Sequence, residues 1–429
     1  MRATAPSLLR EIGRWSLTAG VINSVIGSGI FGLPSAVARL LGQWSPLAVL
    51  LAGLLVFTVV LCFAEIGSRF DDAGGPYLYT RETLGPAAGF QVGWLLVWTR
   101  LLSGAAALNI LVAYAGTMAP SVLTPAGRAL TMTAGTVIVT AVNIAGVRNA
   151  AWTVNVFTVA KILPLVLLIG AGMFHLNKNA FATQIVPTPN WTEAVLLLVF
   201  AYGGFESAVI PASEARHPKR DTAFALIMAM AAVTALYFLV QLTIVGTLPH
   251  AAESSTPIAS ALGQAVGPAG STIGSLGVLV SVYGWLLGFA MLTPRVLFSM
   301  AQRGELPEFI ASVHPRFRTP HAAIIFNSVA VLTISLYSSF AQAATLAAIA
   351  RLVIFVFTCA ALIVFRSRHR ESAGFRVPCG RFVAVAGILF SIWLIGTRNF
   401  AQTWILVSIV TAGTILWVLS AKRRSLQAL

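Results

Sequence analysis

Gly27-Ser28-Gly29 lies in the middle of an apolar segment of membrane-spanning length, and Gly203-Gly204 does the same in a second such segment far along the chain. Glycine destabilises a helix by roughly 1 kcal/mol relative to alanine. In hydrocarbon every backbone polar group must be satisfied, so a break inside a span is tolerated only where protein or a protected cavity surrounds it. Interrupted spans at corresponding places in two halves of a chain point to a binding site near the bilayer midplane. These two breaks therefore restrict the chain to a helical membrane bundle with an internal site.

Composition agrees. Of the 429 residues 57% are hydrophobic and 10% charged, against about 25% charged in soluble domains. Cys62, Cys359 and Cys379 are too few and too apolar in context for a disulfide framework. Arg2, Arg10 and Arg14 precede an apolar run too long for a leader, which reads as the first span.

Apolar runs of about 20 residues occur at 15–38, 44–66, 86–117, 127–147, 151–174, 192–212, 222–247, 272–300, 321–341, 343–366, 381–398 and 402–420. The chain is thus expected to be an all-α membrane protein with twelve transmembrane helices. With the N-terminus inside, 20 of the 28 Lys and Arg fall in cytoplasmic segments and only Arg128, Lys178 and Arg398 outside. That asymmetry places both termini in the cytoplasm. It also explains the net charge of +15 as topogenic charge in contact with anionic membrane lipid, not as a nucleic-acid surface. Residues 1–420 form one transmembrane domain and 421–429 a cytoplasmic tail. No loop is long enough for a core of its own.

The first break reads Ile26-Gly27-Ser28-Gly29-Ile30-Phe31-Gly32-Leu33-Pro34. Unwinding leaves amides at the start of the second half-helix without partners. With the positive end of the helix dipole and the Ser28 hydroxyl, the amides around Gly29 and Ile30 suit a carboxylate. Carbonyls at the end of the first half-helix, around Val25 and Ile26, suit an ammonium. The second break reads Phe200-Ala201-Tyr202-Gly203-Gly204-Phe205-Glu206. Its carbonyls supplement the ammonium site, and Phe200 and Tyr202 are large enough to line a pocket. Small residues for close helix packing are the competing reading of each glycine cluster.

Taken with Ala73-Gly74-Gly75-Pro76-Tyr77-Leu78-Tyr79, Glu214-Ala215-Arg216-His217-Pro218, Pro294-Arg295-Val296-Leu297 and Gly304-Glu305-Leu306-Pro307, these segments resemble, in order over roughly residues 10–370, the amino acid–polyamine–organocation superfamily of permeases. The resemblance implies a LeuT-type fold: a 5+5 inverted repeat, spans one to five over 15–174 and six to ten over 192–366, plus two extra helices over 381–420. It implies alternating-access transport of amino acids or related amines, with no cofactor. In that family a fifth-span lysine can take the place of a sodium ion between the first and eighth spans. Carried onto this chain, Lys161 would meet carbonyls near Ile26 and Gly27, with Ser281 as its eighth-span partner. Two readings of Lys161 stay open: a sodium substitute that couples protons to conformation, or a fixed structural lysine.

Ionisable residues within spans are rare and usually functional. Among the 13 acids only Glu206 lies well inside one, either as a gating carboxylate of the inward pathway or as a structural acceptor. Arg100 and Arg295 are its candidate partners. Arg351 is expected to snorkel or to line an outer vestibule. Trp285 and Tyr283 either bound the pocket or pack helices, and Asp71-Asp72 reads as solvated loop charge. No His or Cys spacing suggests a metal. Clustered acids and histidines for membrane-embedded catalysis are lacking too, as is a repeated filter loop for a channel. Ala105, Ala106, Ala107 and Ala201, in place of a ring of acids, favour neutral L-amino acids, with symport and exchange both open and a polyamine or other organic amine as the alternative.

Overall fold

The computed structural model describes residues 13–70, 74–146, 150–177, 180–181, 184–208, 215–368 and 374–427. Asp71, Asp72 and Glu214 lie outside them.

The chain is all-helical over these residues. Its first helices are α1 (Arg14–Val25), α2 (Ser28–Leu41), α3 (Ser45–Gly67), α4 (Gly75–Leu84), α5 (Pro86–Gly116), α6 (Pro125–Ala145) and α7 (Ala150–Gly172). Then follow α8 (Trp191–Ala201), α9 (Phe205–Ala208), α10 (Pro218–Thr247), α11 (Pro257–Val266), α12 (Pro268–Gln302), α13 (His321–Tyr337), α14 (Phe340–Arg368), α15 (Gly380–Gly396) and α16 (Phe400–Gln427). Seven helical stretches are long and apolar enough to cross a membrane, and four shorter apolar helices accompany them. Starts are set locally. Proline occupies the first turn of α5, α6, α10, α11 and α12, where its missing N–H costs nothing. Asn190 caps α8 by accepting the Glu193 amide at 3.1 Å.

The most apolar stretch of α5 is 89% buried, whereas those of α6 and α16 are 17% buried. Helix α5 is therefore the axis of the bundle and α6 and α16 its periphery. The apolar side chains of Leu130, Val137, Phe400 and Trp404 are left exposed there, as a protein dissolved in lipid requires. Around the axis α14 packs along α5, α10 along α3 and α1, α2 against α8, and α7 against α12.

Helices α4 and α11 fall between the apolar runs and are too short and too polar for a search at span length. Helix α4 places the Gly75–Tyr79 motif at the end of the bundle that holds Gly304–Pro307. The Tyr77 hydroxyl accepts from Arg81 Nη1 at 2.6 Å and Arg303 Nη1 at 2.8 Å, and donates to Glu305 Oε1 at 3.3 Å. Two of the motifs are thus one polar cluster in space. Beside it Glu65, fully buried, accepts from Arg69 at 2.8 Å, from Arg366 Nε at 2.8 Å and from the Val377 amide at 2.9 Å. It joins α3, α14 and the segment before α15. Removing one partner of a buried ion cluster strands the others, so Glu65→Ala is expected to cost about 3–5 kcal/mol, read as a lower melting temperature of the detergent-solubilised protein.

Candidate transport site

Both breaks are present. Helix α1 ends at Val25 and α2 begins at Ser28. Helix α8 ends at Ala201 and α9 begins at Phe205. Between α8 and α9 Gly204 takes φ 118°, a region L-residues avoid.

The last carbonyls of α1 have no intrahelical donors beyond the turn, and their partners come from elsewhere in the bundle. Ile22 O is closed by the Ile26 amide at 2.9 Å. Asn23 O accepts from Lys161 Nζ at 3.0 Å, and Asn23 Oδ1 accepts from the same ammonium at 2.7 Å. Val25 O lies 3.2 Å from the Tyr237 hydroxyl, which is also 3.3 Å from Ala201 O. One hydroxyl on α10 thus bridges the ends of α1 and α8. Ser24 Oγ donates to Gly204 O at 2.9 Å.

The breaks therefore meet. A Cβ added to Gly29 would stand 2.8 Å from Ala201 Cα, 3.2 Å from Ala201 Cβ and 3.4 Å from the Phe200 ring. Only glycine allows this approach. Ser28, Gly29 and Ile30 are buried at the start of α2, and no side chain caps that helix. Its first amides thus face the junction with the dipole behind them. Phe200 packs edge-on against Phe340 at 6.3 Å between ring centroids. Trp285 Nε1 lies 3.1 Å from where a Gly27 Cβ would be, so the eighth predicted span flanks the first break through Trp285.

Val25, Ile26, Ser28, Gly29, Phe200, Ala201 and Gly203 are brought into one region, with Ile30 buried just inside α2. Tyr202 turns elsewhere: its hydroxyl donates to Val49 O at 2.9 Å, so it packs onto α3. Lys161 reaches α1 three residues before Ile26, because Asn23 O is the carbonyl whose helical donor, the amide four residues on, falls in the break. Ser281 is buried, and its hydroxyl has no hydrogen-bond partner among the described residues.

The acid of the second break finds a partner other than the two expected. Arg351 Nε donates to Glu206 Oε1 at 2.8 Å, and the Gly204 amide donates to Glu206 Oε2 at 2.8 Å. Arg351 is 4% exposed. It does not snorkel: it sits eleven residues into α14, and its head turns inward to the buried Glu206. Arg295 instead donates to Met291 O in its own helix and is exposed. Arg100, 7% exposed, lies within electrostatic reach of Glu206.

A family model described as amino acid permease matches residues 12–420. The chain belongs to the amino acid permease family. Relatives in Bacillus subtilis (strain 168) include the serine/threonine exchanger SteT, 28% identical over 92% of this chain and 92% of that protein. The methylthioribose transporter is 28% identical over 99% of this chain and 96% of its own length. The branched-chain amino acid permease BcaP is 26% identical over 94% and 92% respectively. This permease is thus similar along nearly its whole length to transporters whose named substrates differ widely.

Tyr237, Asn23 and Ser24 are additions that sequence reading passed over. Their signal was weak but present: two polar residues just before a glycine-interrupted turn, and a lone tyrosine deep in an apolar span.

Proposed function

We propose that this permease is a secondary transporter of neutral L-amino acids across the cytoplasmic membrane by alternating access, built as twelve spans with a 5+5 inverted repeat and both termini inside. The observation that supports this best is the meeting of the two breaks, so close that a Cβ added to Gly29 would stand 2.8 Å from Ala201 Cα. Amides at the start of α2 offer a carboxylate site. Carbonyls at the end of α1 and in the second break already accept from Lys161, Tyr237 and Ser24, and the second lone pair of each offers an acceptor for an ammonium. A free amino acid carries both charges on adjacent atoms, so it matches a junction that presents both poles within a few ångströms.

In this reading Lys161 replaces sodium at the first break and moves a proton as the bundle rocks, so transport is sodium-independent. Exchange of one amino acid for another is the kinetic alternative, and transport of an organic amine the chemical one. The test is uptake of a labelled panel by reconstituted vesicles, with and without an imposed pH gradient and with sodium present or absent. Neutral amino acids are expected to enter and to compete with one another. Their decarboxylated amines are not expected to compete, and sodium is expected to have no effect. Stimulation by sodium, or competition by amines that lack a carboxylate, overturns the reading.

A further inference from the structure

Arg351 covers the second break. A Cβ on Gly203 would overlap its guanidinium, so glycine there makes room for the arginine as much as for the turn. The guanidinium donates to Glu206 Oε1 at 2.8 Å, and its Nη1 lies 3.5 Å from Phe200 O. The other Glu206 oxygen is held by the Gly204 amide at 2.8 Å. Arg351 therefore occupies the Glu206 carboxylate, the one carboxylate at the junction among the described residues, and reaches one of the junction's carbonyls. A substrate side chain carrying a positive charge would need just these acceptors. The surroundings work in the same direction: among the described residues the buried basic groups near the junction are Arg100, Lys161 and Arg351, against the acid Glu206.

We propose that Arg351 sets the charge selectivity of the substrate site, excluding amino acids with cationic side chains by holding Glu206 and shielding the Phe200 carbonyl. This rests on the amino acid reading above and adds the residue responsible for neutrality. Selectivity here comes from a repulsive element as well as from missing acceptors. With Glu206 already paired to Arg351, a cationic side chain finds no free carboxylate there to offset its loss of water.

The experiment compares norleucine and lysine, which share a chain length and differ in the ammonium, as substrates of the full-length protein in vesicles. The wild type is expected to favour norleucine by roughly tenfold or more. Arg351→Gln, which frees the Glu206 carboxylate, is expected to raise the lysine-to-norleucine uptake ratio on the order of tenfold, and Arg351→Lys to raise it less. A wild type that takes up lysine as readily as norleucine overturns the proposal, and this holds even where Arg351→Gln does not fold. So does a folded Arg351→Gln protein with an unchanged ratio, or one that folds and carries neither substrate. Uptake of no amino acid at all by the wild type would instead refute the broader transport reading.

Discussion

Gly29→Val is expected to lower amino acid uptake on the order of ten- to a hundredfold without preventing assembly of the bundle. The argument is geometric. The first added carbon would lie 2.8 Å from Ala201 Cα, and a backbone atom cannot rotate away as a side chain can. Valine adds two methyl groups to that carbon, stiff in χ1. The junction must open, which pulls Ser24 Oγ from Gly204 O and draws Val25 O and Ala201 O away from the shared Tyr237 hydroxyl. Overpacking of this kind costs about 1–3 kcal/mol, levied on the state in which the breaks are together. Gly20→Ala is the matched control. It lies in α1 with nothing within 4 Å of an added Cβ, and uptake is expected to stay within about twofold. Initial rates in vesicles, normalised to folded protein by size-exclusion chromatography, decide the matter. Wild-type rates in Gly29→Val would mean that the close approach has no part in transport.

The glycine signal was legible because its cause is local: a helix that must unwind in lipid advertises it in its own residues. The long helices were legible for the same reason, since apolar length is a property of one segment. The partner of Glu206 was not. Arg351 lies 145 residues away, and the charge of an arginine in a span says that a partner exists without saying where. The expectation that it snorkels takes the tenth span to begin at 343, eight residues before the arginine. The helix begins nearly one turn earlier, at Phe340, and the guanidinium is buried against Glu206. Lys161 was read as reaching the break itself, whereas its ammonium stops at Asn23. The difference follows from counting helical donors: the break deprives carbonyls four residues upstream of their amides, so the groups exposed by a glycine pair lie before the glycines. Tyr202 shows a second influence. Aromatic bulk beside a break suggests a pocket wall, yet a span residue must also satisfy its hydroxyl, and Val49 O on α3 supplies the acceptor.

Lys161→Ala is expected to reduce uptake at least about tenfold, and to abolish whatever response the wild type shows to a pH gradient. The ammonium sits on α7, 4% exposed, and holds both oxygens of Asn23 at 3.0 and 2.7 Å. Truncation leaves a backbone carbonyl and an amide oxygen buried without donors, a loss of about 1–3 kcal/mol for each such group. That penalty falls on the helix end that shapes the first break. Two roles for the lysine, a positive anchor and a proton carrier, predict different behaviour for Lys161→Gln, whose amide can still donate but cannot change charge. An anchor alone is satisfied by the amide, so uptake would recover with its pH response intact. A carrier is not: Lys161→Gln is expected to retain part of its exchange activity, where substrate movement in both directions needs no net proton, while accumulation against a pH gradient is lost. Helix α7 packs on α12 and Lys161 ties it to Asn23 of α1, so the two outcomes are told apart by the Lys161→Gln protein alone. Full uptake by Lys161→Ala with an unaltered pH profile would remove both roles at once, and sodium stimulation of the wild type would return the site to a bound cation.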